Sequence, residues 1–326
     1  MTVSREIHLI ARPPGRLPVP GTLAVVEVEL PDVPEPGEVV VRNTYQAVDP
    51  GLLQRMQDID GPGEPDFALG GPPWGHALGE VVASASPDLN PGDTVLHNLA
   101  WREYAVAPAD KFRAVPLDRF PSVTHHLSSA VVAWVGLSLV EIHPGDTVLV
   151  SSGVGAVGSV AGQLARVRGA GYVIASTGSP AKAKLATEQL GYDRAFDYHD
   201  GWPDDLPGVD VYYDNAGGRQ LESAITVMNT HGRIVKCGGT DQIRTGEPYG
   251  IRNIEQFVHR RLSMHGMATM DHEDLFAEFD REFPPLVADG RVVLPETIVE
   301  GGLDRLVPAA EALLTGAYSG KVLLKF

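Results

Sequence analysis

VLVSSGVGAVGSVAGQLARV, residues 148–167, decides the fold. A β-branched apolar run ends at Ser151, glycines follow at 153, 155 and 158, and a stretch of small residues with helical character comes next. This order of strand, glycine turn and helix lets the backbone approach a pyrophosphate, with the helix N-terminus facing the negative charge. Glycine supplies 36 of the 326 residues, so GxGxxG spacing alone says little; the strand before it and the helix after it carry the reading. Gly155, Ala156, Val157 and Gly158 are therefore the expected dinucleotide-binding residues of the turn.

Outward from this turn the chain alternates strand and helix. YVIAST (172–177), VDVYYDN (209–215) and GRIVKCGG (232–239) read as strands, and PAKAKLATEQLG (180–191) and RQLESAITVMN (219–229) as helices. Units of this length imply a doubly wound parallel sheet. HHLSSAVVAWVGLSLVEI (125–142) is expected to be a helix leading into it. The first ~120 residues have another texture, in which β-branched runs such as TLAVVEVEL and VVVRN are separated by proline and glycine, with a turn expected at Asn90-Pro91-Gly92-Asp93. A final helix, DRLVPAAEALLTG (304–316), and a closing strand, KVLLKF (321–326), return to that part. The expected organisation is α/β: a β-rich domain over residues 1–122, completed by 296–326, around a cofactor domain over 123–295.

Composition limits the partners. No apolar run approaches the ~20 residues that cross a bilayer, and the opening residues lack the apolar core of a secretory signal, so a cytoplasmic location away from membranes is expected. The formal charge of −16 disfavours nucleic acid. A single cysteine, Cys237, excludes an internal disulfide and a cysteine-cluster zinc site. At the end of the second strand, where an Asp or Glu would hold the ribose of NAD, the chain offers Thr177, Ser179 and Lys182. Hydroxyls and an ammonium suit a 2′-phosphate, so NADPH is the expected cofactor.

Five ordered motifs extend this reading: VRNTYQAVDP (41–50), GEVVASASPDLNPGDTV (79–95), GAVGSVAGQLA (155–165), DVYYDNAGG (210–218) and GRIVKCGG (232–239). Together they resemble the medium-chain dehydrogenase/reductase superfamily, and within it the zinc-free NADPH-dependent enone reductases, a group that includes prostaglandin reductases and plant double-bond reductases. The resemblance implies a GroES-like catalytic domain, a Rossmann cofactor domain, a homodimer, and hydride delivery to the β-carbon of an α,β-unsaturated carbonyl. It further implies that Lys182 and Tyr198 bind the 2′-phosphate. Asn215, Cys237, Gly238 and Gly239 would line the nicotinamide side, with the backbone at Met267, Ala268 and Thr269.

Zinc-dependent relatives carry a cysteine where Asp49 stands and Gly-His-Glu where this chain has Gly75-His76-Ala77, which leaves too few ligands for a metal. Other departures fall on the substrate pocket. Gly51-Leu52-Leu53 replaces a usual Tyr-Met-Arg, Ile243 replaces a tyrosine, and Tyr318 replaces an asparagine two residues before Gly320-Lys321. Asp49, Gly51, Trp134 and Ile243 are the expected pocket residues, and Tyr45 and Tyr318 the candidate proton donors. The expected activity is reduction of a conjugated carbon-carbon double bond, with or without ring closure of a natural-product intermediate. Quinone reduction and a non-redox cyclase or isomerase that binds NADPH are the competing readings.

Overall fold

Proline and glycine cut the first third of the chain into short strands. The computed structural model describes residues 3–14, 18–57 and 66–326. Its first elements are β1 (Val3–Leu9), β2 (Leu23–Glu29), β3 (Glu38–Val48), α1 (Pro50–Gln54), β4 (Ala77–Ser84), β5 (Thr94–His97), β6 (Tyr104–Pro108) and β7 (Phe112–Ala114). Then come α2 (Ala130–Ser138), β8 (Thr147–Ser151), α3 (Gly158–Val167), β9 (Tyr172–Thr177), α4 (Pro180–Gln189), β10 (Arg194–Asp197), β11 (Val209–Asp214), α5 (Gly218–Val227) and β12 (Met228–Lys236). The last are α6 (Thr240–Thr245), α7 (Gln256–Arg260), β13 (Ser263–Gly266), α8 (Phe276–Ala288), β14 (Glu296–Glu300), α9 (Leu306–Leu314) and β15 (Lys321–Lys325).

The chain divides into two compact units. One holds Met1–Leu127, Thr297–Ala317 and Val322–Phe326; the other holds Ser128–Glu296 and Tyr318–Lys321. In the first, β1 and β2 form an antiparallel ribbon, and the remaining strands form a seven-stranded sheet in the order β14-β15-β3-β4-β5-β7, with β6 also on β3. Alternation along these strands turns Val39, Val41, Val81 and Val95 into a core with Phe112. The expected turn closes with the Asp93 amide donating to the Asn90 carbonyl at 3.0 Å, and Gly92 takes φ +97° there.

In the second unit six parallel strands run in the order β10-β9-β8-β11-β12-β13, the doubly wound arrangement whose crossover point lies between β8 and β11. Its central strands are apolar on both faces, and Leu149, Ile174, Tyr212 and Ile234 are fully buried in one cluster. The small residues after the turn have a packing reason. A Cβ on Gly162 of α3 would lie 2.2 Å from the ring of Tyr192, whose hydroxyl donates to the Gly158 carbonyl at 2.7 Å.

Three local expectations are corrected. The helix expected over 125–142 is confined to α2, because Ser128 and Ser129 interrupt it and only a single-turn 3-10 segment, Val123–Leu127, precedes them. β12 begins at Met228 rather than 232, pairing with Val209 across a bulge. Between β12 and β14 the structure adds α6, α7, β13 and α8 where no periodic signal stood out, and α8 contains Pro284 and Pro285. No described helix is long and apolar enough to cross a membrane.

Candidate cofactor site

The glycine turn at the end of β8 is tightly built. Ser152 takes φ +52°, a conformation unfavourable for a side-chain-bearing residue, and its carbonyl accepts the Gly155 amide at 2.8 Å. A Cβ on Gly153 would lie 2.5 Å from that of Ala175 on β9, and one on Gly158 would lie 2.2 Å from the Ser152 carbonyl oxygen. Here glycine is demanded by close approach of backbone to backbone. The helical ladder starts with Ser159 donating to Gly155 and Ala161 to Val157, so the amides of Ala156, Val157 and Gly158 precede it at the positive end of α3. These are the donors an anion would meet.

The end of β9 supplies the second group. Ser179 caps α4, its hydroxyl accepting the Lys182 amide at 3.3 Å, which fixes the Lys182 backbone in the first turn of that helix. Burial pushes the Lys182 pKa down. Tyr198 stacks on His199 at 4.1 Å between ring centroids, and both rings face Gly178, whose added Cβ would lie 3.7 Å from Tyr198 and 3.6 Å from His199. Burial pushes the Tyr198 phenol up, with Arg244 acting against it. Arg244, which sequence reasoning missed, pairs with Asp241 at 2.7 Å. Thr177 is withdrawn from the phosphate role, since its hydroxyl donates to the Phe196 and Ser179 carbonyls at 3.1 and 3.2 Å. The Asp197 carboxylate, at the tip of β10 beside Thr177, is occupied by the amide and ring of His199 at 3.0 and 2.9 Å.

At the ends of β11 and β12 the Asn215 side chain donates to the Ser151 carbonyl at 2.8 Å, and the Cys237 and Gly238 amides donate to the Asp214 carbonyl at 2.9 and 3.0 Å. Burial pushes the Cys237 thiol pKa up, and a side-chain hydrogen bond with Tyr213 acts against it. The Met267 amide reaches the Lys236 carbonyl at 3.3 Å, and Ala268 and Thr269 follow it past β13. Ile243 is buried on α6, its amide held by the Gly239 carbonyl at 2.9 Å.

The pocket and proton-donor candidates fall on both units. Tyr318 lies two residues from Gly320, whose amide donates to the Val154 carbonyl at 2.7 Å and which bridges to Gly155. That contact ties the Tyr318 segment to the glycine turn. Tyr45 belongs to the other unit, where it packs against Ala47, Leu78 and Leu323 opposite Lys325. Asp49 precedes α1, and a Cβ on Gly51 would meet nothing within 4 Å among the described residues. Trp134 stands on the helix that opens the second unit. It is buried on α2 among Phe279, Phe283 and the Arg168 guanidinium, at 5.9, 6.5 and 4.9 Å, and its ring contacts are to α8 and the C-terminal end of α3 rather than to the glycine turn. Its aromatic bulk serves helix packing.

A glycine turn at the head of a doubly wound sheet, joined in one chain to an antiparallel β unit, defines a two-domain oxidoreductase. Residues 5–115 match the family described as the N-terminal domain of oxidoreductase, and residues 156–283 the one described as zinc-binding dehydrogenase. The chain belongs to the medium-chain dehydrogenase/reductase superfamily, in its zinc-free enone reductase group. It is 31% identical over 307 residues to a 2-alkenal reductase (NADP(+)-dependent) of Nicotiana tabacum, covering 89% of this chain and 86% of the relative. It is 29% identical to the NADPH-dependent curcumin reductase of Escherichia coli, over 99% of this chain and 96% of that one. CurA of Vibrio vulnificus in complex with NADPH superposes with a TM-score of 0.86 at 27% identity, over 98% of both chains. Despite the second family's description, no three His, Cys, Asp or Glu side chains among the described residues come together to hold a metal.

Proposed function

We propose that this chain is an NADPH-dependent reductase of the carbon-carbon double bond of an α,β-unsaturated carbonyl. The observation that carries the reading is the end of β9, where Ser179 caps the helix that carries Lys182, Tyr198 lies against Gly178, and no carboxylate stands between Thr177 and Lys182. The residues fit the cofactor: a Lys182 ammonium for the 2′-phosphate, free-standing amides at Ala156 to Gly158 for the pyrophosphate, and the Asn215, Cys237 and Gly238 turns for the nicotinamide half. When bound, the nicotinamide supplies hydride to the β-carbon of the alkene. The protein's own part is to orient the substrate and to stabilise and protonate the enolate. Tyr318 is the proton donor in this reading, because its segment is anchored to the glycine turn. Tyr318→Phe should lower kcat while the cofactor Kd stays unchanged, and an unaltered kcat removes it from this role.

The open position at Gly51 supports a bulky conjugated carbonyl as substrate. A homodimer is supported by β13, which is exposed along its length at the edge of the sheet with Met264 on it and Val258 just before it. The decisive experiment uses NADPH deuterated at the transferable C4 position with a panel of alkenals, enones and quinones, read by mass spectrometry. Deuterium on the carbon of a former alkene supports the proposal, and the ring count of the product reports any cyclisation. Label transfer to none of the alkenes, with cofactor binding shown separately, overturns it.

A further inference from the structure

The turns that follow β11 and β12 are locked together around one buried carboxylate. Asp214 ends β11 with no solvent exposure. Its Oδ1 accepts from the Tyr212 and Ser151 hydroxyls at 3.0 and 3.3 Å and from the Ala216 and Gly217 amides at 3.2 and 2.8 Å. Its Oδ2 lies 3.0 Å from the Lys236 ammonium at the end of β12, an ionic contact outside hydrogen-bond geometry. The same ammonium donates to the Gly238 carbonyl. A carboxylate in this setting is tolerated only when its charge and lone pairs are met, so each of these partners is held to its position.

What they hold is two glycine turns. Gly217 and Gly218 take φ +71° and +55°, and a Cβ on Gly217 would lie 3.2 Å from the Lys236 ammonium. A Cβ on Gly238 would lie 2.9 Å from the Asn215 carbonyl oxygen. That oxygen accepts the Thr240 amide at 3.2 Å, and the Ala216 carbonyl accepts the Asp241 amide at 3.0 Å. The two turns thus form one rigid piece with the ion pair at its centre. They stand on the β11-β12-β13 side of the crossover, whereas Lys182 and Tyr198 stand on the β8-β9-β10 side.

We propose that Asp214 and Lys236 are a positioning pair that shapes the site for the nicotinamide half of the cofactor and has no part in holding the adenosine half. This rests on the NADPH reading above. The geometry assigns the pair no contact with the reacting atoms. It fixes the backbone of Asn215 and Gly238, and a displacement of about 1 Å at a reacting centre costs on the order of a hundredfold in rate.

The test measures 2′,5′-ADP and NADPH binding to the full-length wild type, Asp214→Asn and Lys236→Gln by calorimetry, with kcat at saturating NADPH. Asp214→Asn turns an amide toward the Lys236 ammonium and breaks the ion pair while keeping the side-chain shape. The expected result is 2′,5′-ADP affinity within about twofold of wild type, NADPH affinity lowered about tenfold or more, and kcat lowered by about a hundredfold. Lys236→Gln, at a side chain 31% exposed, keeps a donor for Asp214 and serves if the first variant fails to fold; it should give the same pattern at smaller amplitude. Equal weakening of both ligands, or no weakening of NADPH, overturns the positioning role. Failure of 2′,5′-ADP to bind the wild type overturns the cofactor reading itself, and the proposal with it.

Discussion

Lys182→Ala should convert a cofactor preference into near indifference. Lys182 belongs to the first turn of α4, which Ser179 caps, and burial strips part of the hydration of its ammonium and pushes its pKa down. A partly dehydrated cation gains more from an oxyanion than an exposed one does. A charge-assisted hydrogen bond of this kind contributes about 1.5–3 kcal/mol, and about 1.4 kcal/mol is tenfold in affinity, so NADPH should bind roughly 10- to 150-fold more weakly to the variant. NADH lacks the 2′-phosphate and should bind as before. Because the lysine pKa is lowered, the NADPH preference of the wild type should also decay at a lower pH than an ordinary lysine would give. Cofactor fluorescence titrations of both nucleotides against both proteins decide the matter. Equal losses for NADPH and NADH would refute the reasoning, because the effect would then belong to α4 as a whole and not to the phosphate.

Gly158→Ala places a Cβ 2.2 Å from the Ser152 carbonyl oxygen, so the turn must open; a stability loss of about 1–3 kcal/mol with weakened binding of both nucleotides is expected by thermal melts and titration. His97 is buried on β5 with its Nδ1 accepting the Leu99 amide at 3.1 Å, and burial, aided by Arg102 and His76, depresses its pKa from 6.5 to about 3. The unfolded chain therefore takes up a proton between those values that the native ring refuses, and stability falls as pH drops through that window by up to roughly 5 kcal/mol. In denaturant titrations across that window, His97→Gln should flatten the fall, and an unchanged pH slope would contradict the assignment. Gly51→Tyr enters open space, so it should fold normally while lowering kcat/KM for bulky enones more than for short alkenals; an unchanged substrate profile would take Gly51 out of the pocket.

The legible parts of this chain are those whose causes are local. The strand at 147–151, its glycine turn and α3 follow from a β-branched run, close backbone approach and small side chains, all contiguous in sequence. The region between β12 and β14 was opaque for the opposite reason. β13 is exposed on both faces and shows no apolar alternation, and the prolines in α8 argue against the helix they occupy. The ring contacts of Trp134 with Phe279 and Phe283 were not legible either, because they join α2 to a helix far along the chain. Asp214 lay inside a recognised motif and an expected strand, but nothing adjacent in sequence gives its carboxylate a role. Its burial depends on Ser151 and Lys236, distant in sequence and joined to it only by the strand order β8-β11-β12.

That strand order also explains how so acidic a chain can hold an anionic cofactor. A net charge of −16 repels NADPH at long range, but at physiological ionic strength such repulsion fades beyond about 8 Å. Affinity then depends on donors within hydrogen-bond reach. These need not be numerous if they are fixed: the amides of Ala156 to Gly158 follow the strained Ser152 turn, and the backbone of Lys182 is held by the Ser179 cap. On the other side of the crossover Lys236 adds a third positive group, but Asp214 neutralises it, so that end gains rigidity without gaining charge. The asymmetry matches the proposed ligand, whose extra phosphate lies on the adenosine half and whose reacting carbon lies on the other. On the proposed reading, one half of the sheet attracts charge and the other holds a ring still.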